Sequence, residues 1–175
     1  MLRILLIPFF IFFYYLETGN IRYTACIIFL VASLTDFLDG FLSRIWKVES
    51  RFGAMMDPIA DKLIVVTALC LVVGDSPFLA IPIILIICRE IFVSGLREFL
   101  GKSDDIEMPV SVLAKYKTAS QMLAVTFLTL TAGFNATESQ SVKNVFYFGV
   151  FVLIISCILT VLTGLQYFKI AKDKI

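Results

Sequence analysis

Four aspartates interrupt an apolar chain in the stretch SLTDFLDGFLSRIWKVESRFGAMMDPIADKL, residues Ser33 to Leu63. Asp36 and Asp39 stand three positions apart, Asp57 and Asp61 four apart, and each pair lies at the edge of an apolar run. An ionised carboxylate inside a membrane helix costs about 2.5–3.5 kcal/mol even on the gentler insertion scales, so four of them require something to bind. Arg44 alone cannot balance four acids. Clustered carboxylates without counter-charge repel one another and take up protons, whereas two divalent cations neutralise them. The donors are oxygens and the chain has no histidine, which points to a hard ion, Mg2+ or Mn2+. Two such ions bridged by carboxylates are suited to displacement at phosphorus, clamping a diphosphate and stabilising the leaving oxygen.

Helical geometry brings these residues together. If Tyr23–Trp46 is one helix, a step of about 100° per residue gathers Asp36, Asp39, Gly40, Ser43 and Arg44 within an arc of roughly 140°. On the next helix Asp57 and Asp61 stack one turn apart, and Gly53 joins their side if the helix starts that early. Gly40 and Gly53 leave the backbone open to a nucleotide or phosphate. Helix capping or interfacial snorkelling accounts for any one of these aspartates but not for all four together.

The elements that must position them are membrane helices. Of 175 residues 59% are hydrophobic and 17 are Phe, and the mean hydropathy is +0.94, too apolar for an ordinary soluble domain. Apolar segments run over Leu2–Leu16, Tyr23–Trp46, Met56–Gly74, Phe78–Leu100, Val110–Gly133 and Val145–Phe168. The expected fold is therefore all-α, a single integral membrane bundle of about six transmembrane helices covering residues 1–175, with short turns and no linker. The first segment has no small-residue cleavage site, so no signal peptide is expected to be removed. Pro8 and Pro82 sit inside segments and are expected to kink them. Trp46, Tyr14, Tyr15, Tyr116 and Tyr167 are expected in interfacial aromatic belts. Cys26, Cys70, Cys88 and Cys157 are expected as buried structural thiols.

Basic residues orient the bundle. Arg3, Arg44, Lys47, Arg51, Arg97, Lys102, Lys115, Lys117, Lys169, Lys172 and Lys174 fall at one set of helix ends, against Arg22 and Lys143 at the other. The positive-inside tendency then places both termini and the aspartates on the cytoplasmic side of the membrane. A net charge of +1 gives no sign of a nucleic-acid partner. Asn135-Ala-Thr137 matches a glycosylation sequon, a tripeptide that arises often by chance.

The aspartates also form a fixed pattern, D-x2-D-G-x2-[small]-R-x8-G-x3-D-x3-D, carried by Asp36, Asp39, Gly40, Ser43, Arg44, Gly53, Asp57 and Asp61. It resembles the signature of the CDP-alcohol phosphatidyltransferases, with Ser43 in place of the usual alanine. The resemblance implies a six-helix fold, a homodimer, and transfer of a phosphatidyl group from a CDP-linked lipid to an alcohol with release of CMP. It implies that Asp36, Asp39, Asp57 and Asp61 hold two divalent ions and that Asp61 deprotonates the acceptor hydroxyl. Asp36, Gly40, Arg44 and Gly53 would bind the CDP moiety.

The acceptor is read from the rest of the chain. CREIFVSGLREFL, Cys88 to Leu100, sets Arg89 and Arg97 on nearly one helical face, and AKYKTASQM, Ala114 to Met122, adds Lys115 and Lys117 at a helix start. These four cations suit an acceptor phosphate, although anchoring at the interface, or pairing of Arg89 with Glu90, would also account for them. Together with MLRILLIPFFIFFYYL and LTGLQYF, these stretches resemble the bacterial members of the family that take sn-glycerol 3-phosphate and make phosphatidylglycerophosphate from CDP-diacylglycerol at the inner membrane. Those relatives carry further residues, including an Asn-Pro pair, ahead of the position of Arg3. Another acceptor (inositol phosphate, serine or phosphatidylglycerol) on the same chemistry is an alternative. An Asp-rich prenyltransferase would not need Gly40 and Arg44 at these offsets. A cation or proton transporter would place its carboxylates near mid-membrane on several helices.

Overall fold

The computed structural model describes residues 2–16, 22–46, 51–101, 112–132 and 139–172; within them the side chains of 2–3, 36–46, 51–58, 61, 97–101, 112 and 170–172 lie outside the description. The described residues form six α-helices: α1 (Leu2–Leu16), α2 (Tyr23–Trp46), α3 (Arg51–Asp75), α4 (Ala80–Gly101), α5 (Val112–Leu130) and α6 (Gln140–Lys172). A 3-10 turn at Pro77–Leu79 joins α3 to α4. Among the described residues there is no strand, in keeping with the all-α reading of the sequence.

The helices follow the apolar segments but overrun them where backbone hydrogen bonding continues into polar sequence. Helix α3 begins at Arg51, ahead of the apolar run at Met56, and so takes in Gly53. Helix α6 starts at Gln140 and reaches Lys172, 33 residues, well beyond the roughly 20 needed to cross a bilayer. Helix α3 stops where Pro77 forces the preceding residue out of the α region: Ser76 has φ −134° and ψ 75°. Pro8 lies within α1, where its ring removes one backbone donor. Pro82, expected to kink its segment, instead sits in the first turn of α4, where a missing N–H leaves no helical hydrogen bond unmade.

Helix α6 packs between α4 and α5, while α1 rests on α2 and α3, and α3 also touches α5. Phe10, Phe29, Ile64, Leu69, Ile86, Leu128 and Leu153 are buried in one continuous core. Close approach of α5 and α6 depends on Gly149, where an added Cβ would lie 3.1 Å from Phe127 Cβ.

The outside of the bundle is as apolar as the inside. Phe9 and Phe12 on α1, Ile27 and Leu30 on α2, Ile81, Ile84 and Phe92 on α4, and Phe151, Ile158 and Leu165 on α6 are all exposed. Pro77–Leu96 and Gln140–Lys169 are long and apolar enough to span a membrane. A surface of this kind suits lipid, which is as apolar as Leu itself. The same property corrects the cysteine reading: only Cys26 is buried, Cys157 is intermediate, and Cys70 and Cys88 are exposed, because a thiol needs no core where the surrounding solvent is hydrocarbon. Tyr15 and Tyr116 are exposed, but Tyr14 and Tyr167 are buried, each against an arginine rather than in an interfacial belt, and the Trp46 side chain lies outside the described ones.

Candidate functional site

Polar side chains gather at the two ends of the bundle. At one end Arg22, at the start of α2, donates from Nη1 to Asp75 Oδ2 at 2.6 Å. Its guanidinium lies 4.0 Å from the centre of the Tyr14 ring, and the Tyr14 hydroxyl donates to the same Asp75 oxygen at 2.7 Å. The Arg22 backbone N–H donates to the carbonyl of Leu130. One residue thereby ties the ends of α1, α3 and α5 to α2.

At the other end the polar segment of α4 connects three helices. Lys62 of α3 donates to Ser94 Oγ. Lys117 of α5 is ion-paired with Glu90 Oε1. Arg89 donates from Nη2 to Thr163 Oγ1 of α6 at 2.8 Å and from Nη1 to Glu90 Oε1 at 3.3 Å. The Arg89 guanidinium also lies 5.6 Å from the Tyr167 ring centre, and its stem crosses Gly164, where an added Cβ would sit 3.1 Å from Arg89 Cγ. Lys117 is only 3% exposed, so its charge depends on Glu90 for compensation.

Beside these groups lies a cavity of about 250 Å³. Lys62, Glu90, Lys117, Thr118 and Gln121 form its polar wall, and Leu69, Ile87 and Met122 are among the apolar groups of its floor. Val65 and Leu69 both line it from α3; Asp61 and Asp57 precede Val65 by four and eight residues on that helix, the same ridge one and two turns away. Ser33 of α2 lies 3.9 Å from Met122 Sδ, and Asp36 follows it by three residues. The two aspartate-bearing helices thus approach this cavity.

Asp36, Asp39, Gly40, Arg44, Gly53, Asp57, Asp61 and Arg97 are placed as positions on α2, α3 and α4, and their side chains lie outside the described ones. Of the cations considered for an acceptor, Lys117 lines the cavity, Arg89 adjoins it through Glu90, and Lys115 is exposed and not among the lining residues. Sequence reasoning passed over Lys62, Ser94 and Gln121, and read Glu90 only as a partner for Arg89. The available signal was Lys62 directly after Asp61 in an apolar helix, a second charge where one is already expensive.

The described residues form an all-helical bundle with an apolar exterior and a cavity walled by two lysines and a glutamate, the architecture of an intramembrane protein. The chain belongs to the CDP-alcohol phosphatidyltransferase family, whose sequence model matches residues 1–162. It is 39% identical over 170 residues to a Rickettsia bellii protein named CDP-diacylglycerol–glycerol-3-phosphate 3-phosphatidyltransferase, covering 97% of this chain and 91% of that one. A Haemophilus influenzae protein of the same name is 38% identical over 176 residues, covering 99% and 90%. A Cereibacter sphaeroides protein, again of that name, is 47% identical over 131 residues, 73% of this chain and 59% of its own length.

Proposed function

We propose that this chain transfers the phosphatidyl group of CDP-diacylglycerol to sn-glycerol 3-phosphate, giving phosphatidylglycerophosphate and CMP. The observation that carries the reading is near full-length kinship with proteins named for that reaction, in a chain that carries the four-aspartate pattern. The basic cavity next to them supports it, since the acceptor is a phosphate monoester. The whole chain, residues 1–175, acts as one membrane domain and works as a homodimer in the bacterial cytoplasmic membrane. Both termini and the site face the cytoplasm.

Members of the family generally depend on a divalent metal. The donor set fits one: Asp36 and Asp39 at i, i+3 and Asp57 and Asp61 at i, i+4, all oxygen donors on two helices that touch. When bound, two Mg2+ or Mn2+ ions held by these four residues supply positive charge to the diphosphate and to the departing CMP. Gly40, Arg44 and Gly53, with Asp36, hold the CDP moiety. The acceptor phosphate rests against Lys117 and Arg89, with Arg97 and Lys115 contributing further positive charge. Asp61 takes the proton from the C1 hydroxyl of glycerol 3-phosphate. The freed oxygen forms a bond to the lipid-side phosphorus, and the bond from that phosphorus to the bridging oxygen breaks, releasing CMP.

The test is an assay of the purified chain with CDP-diacylglycerol and glycerol 3-phosphate, following CMP release with and without chelator. Chelator should abolish turnover. Asp61→Asn should lower kcat about 10²- to 10⁴-fold, the range of a lost general base. Full activity in both conditions would overturn the assignment.

A further inference from the structure

The cavity wall contains a puzzle: a pocket suited to an anion has a carboxylate, Glu90, in its lining. A bare carboxylate there repels the ligand. Yet Lys117 and Arg89 both converge on one oxygen of that carboxylate, Oε1, and Lys117 is too deeply buried to be left without a counter-charge. Glu90 therefore already occupies, on these two cations, the role that an acceptor phosphate would take.

We infer that Glu90 is the resident counter-anion of the acceptor cavity and a determinant of its specificity, pairing with Lys117 and Arg89 in the empty site and giving them up only to a dianion. This rests on the reading of the cavity as the acceptor site. A carboxylate monoanion entering the cavity offers the cations no more than Glu90 already gives, so it gains nothing by displacing it. A phosphomonoester dianion brings two charges and three oxygens, enough to meet Arg89 and Lys117 together. Lys62, on the same wall, adds positive charge toward the second ligand charge. The apolar floor at Leu69 and Ile87 has no hydrogen bond to give a polar ligand, which leaves its recognition to the charged wall and to Thr118 and Gln121.

The experiment uses the full chain in lipid-detergent micelles with magnesium, CDP-diacylglycerol and glycerol 3-phosphate, and glycerate as a monoanionic competitor with the same carbon skeleton. Wild type should be insensitive to a large excess of glycerate. In Glu90→Gln, glycerate should become a competitive inhibitor, and the KM for glycerol 3-phosphate should fall about three- to tenfold because the competing charge is gone. A purely structural Glu90 would instead raise that KM and leave glycerate inert, and this result overturns the inference. Glu90→Asp keeps the charge and should keep the discrimination. Should Glu90→Gln fail to fold, wild type decides the matter by thermal unfolding: glycerol 3-phosphate should raise Tm and glycerate at equal concentration should not, equal shifts counting against the idea. Lys117→Met separates the two levels. If it leaves the acceptor KM unchanged, the cavity is not the acceptor site and both readings fall. If it raises that KM while Glu90→Gln behaves as wild type toward glycerate, only the counter-anion inference falls.

Discussion

The two ends of the bundle use the same materials for opposite purposes. At the Arg22 end an arginine, an aspartate and a tyrosine meet within hydrogen-bonding distance, and the Tyr14 ring fills the space beside the guanidinium. At the α4 end a glutamate and two lysines line about 250 Å³ of space, and an arginine pairs with the glutamate beside it. The difference lies in what each charge is asked to hold. Asp75 accepts from two donors on two other helices and so closes the bundle. Glu90 accepts from two cations beside a cavity, where the proposed acceptor would take its place. A charge pair in an apolar bundle is therefore a staple when its surroundings are filled and a site when they are not.

The largest expected effect that sharpens this comparison is at Arg89. Arg89→Ala removes the groups that Thr163 and Glu90 hold, and truncating one partner of a desolvated charge contact costs about 2–5 kcal/mol, roughly 30-fold or more in affinity. The KM for glycerol 3-phosphate should rise by that factor while the KM for CDP-diacylglycerol changes less than about twofold. Equal rises in both would break the comparison, since Arg89 would then be a staple too. Next in size is Arg22→Met, which leaves Asp75 without its cation. It should lower stability by about 2–3 kcal/mol, read as a fall in Tm, with kcat/KM of the folded fraction unchanged. A loss of acceptor affinity in that variant would show that the two ends are coupled.

The fold was legible because hydropathy reports directly on which backbone lies in lipid: the segment Tyr23–Trp46 became α2 residue for residue. Ends were less legible. Gln140, Ser141, Lys143 and Asn144 begin α6 although they are polar, because a helix continues as long as its hydrogen bonds do. The paired aspartates stood out by the energetic penalty they carry. Their supporting cast did not, since Lys62, Glu90 and Gln121 reach one cavity from three helices, α3, α4 and α5, and no spacing within one helix records that convergence. Lys115 and Lys117 illustrate the same gap: two residues apart they look equivalent, yet about 200° of helical turn leaves one exposed and the other buried on Glu90.

The smallest effect sets one glycine of α6 against another. Gly164 faces the stem of Arg89, with an added Cβ 3.1 Å from Cγ and 3.7 Å from Nε. Gly149, fifteen residues earlier and toward the Arg22 end, faces Phe127 Cβ at 3.1 Å and Leu128 at 3.2 Å. Alanine in a helix interior is favoured over glycine by roughly 0.8–1 kcal/mol, so each substitution begins with a gain. At Gly149 the obstacle is the root of a packed side chain on α5, which cannot move without parting the helices, and Gly149→Ala should lower Tm with acceptor KM unchanged. At Gly164 the obstacle is a flexible stem that yields by a few tenths of an ångström, so the propensity gain survives and Tm holds or rises. The shifted stem still carries the guanidinium off its alignment with Thr163 and Glu90, and the acceptor KM should rise about two- to fivefold. Stability and affinity moving in opposite directions at Gly164, and stability alone moving at Gly149, is the pattern to look for in paired thermal and kinetic measurements. A Gly164→Ala variant that loses Tm and keeps its KM would place that end of α6 with the staples.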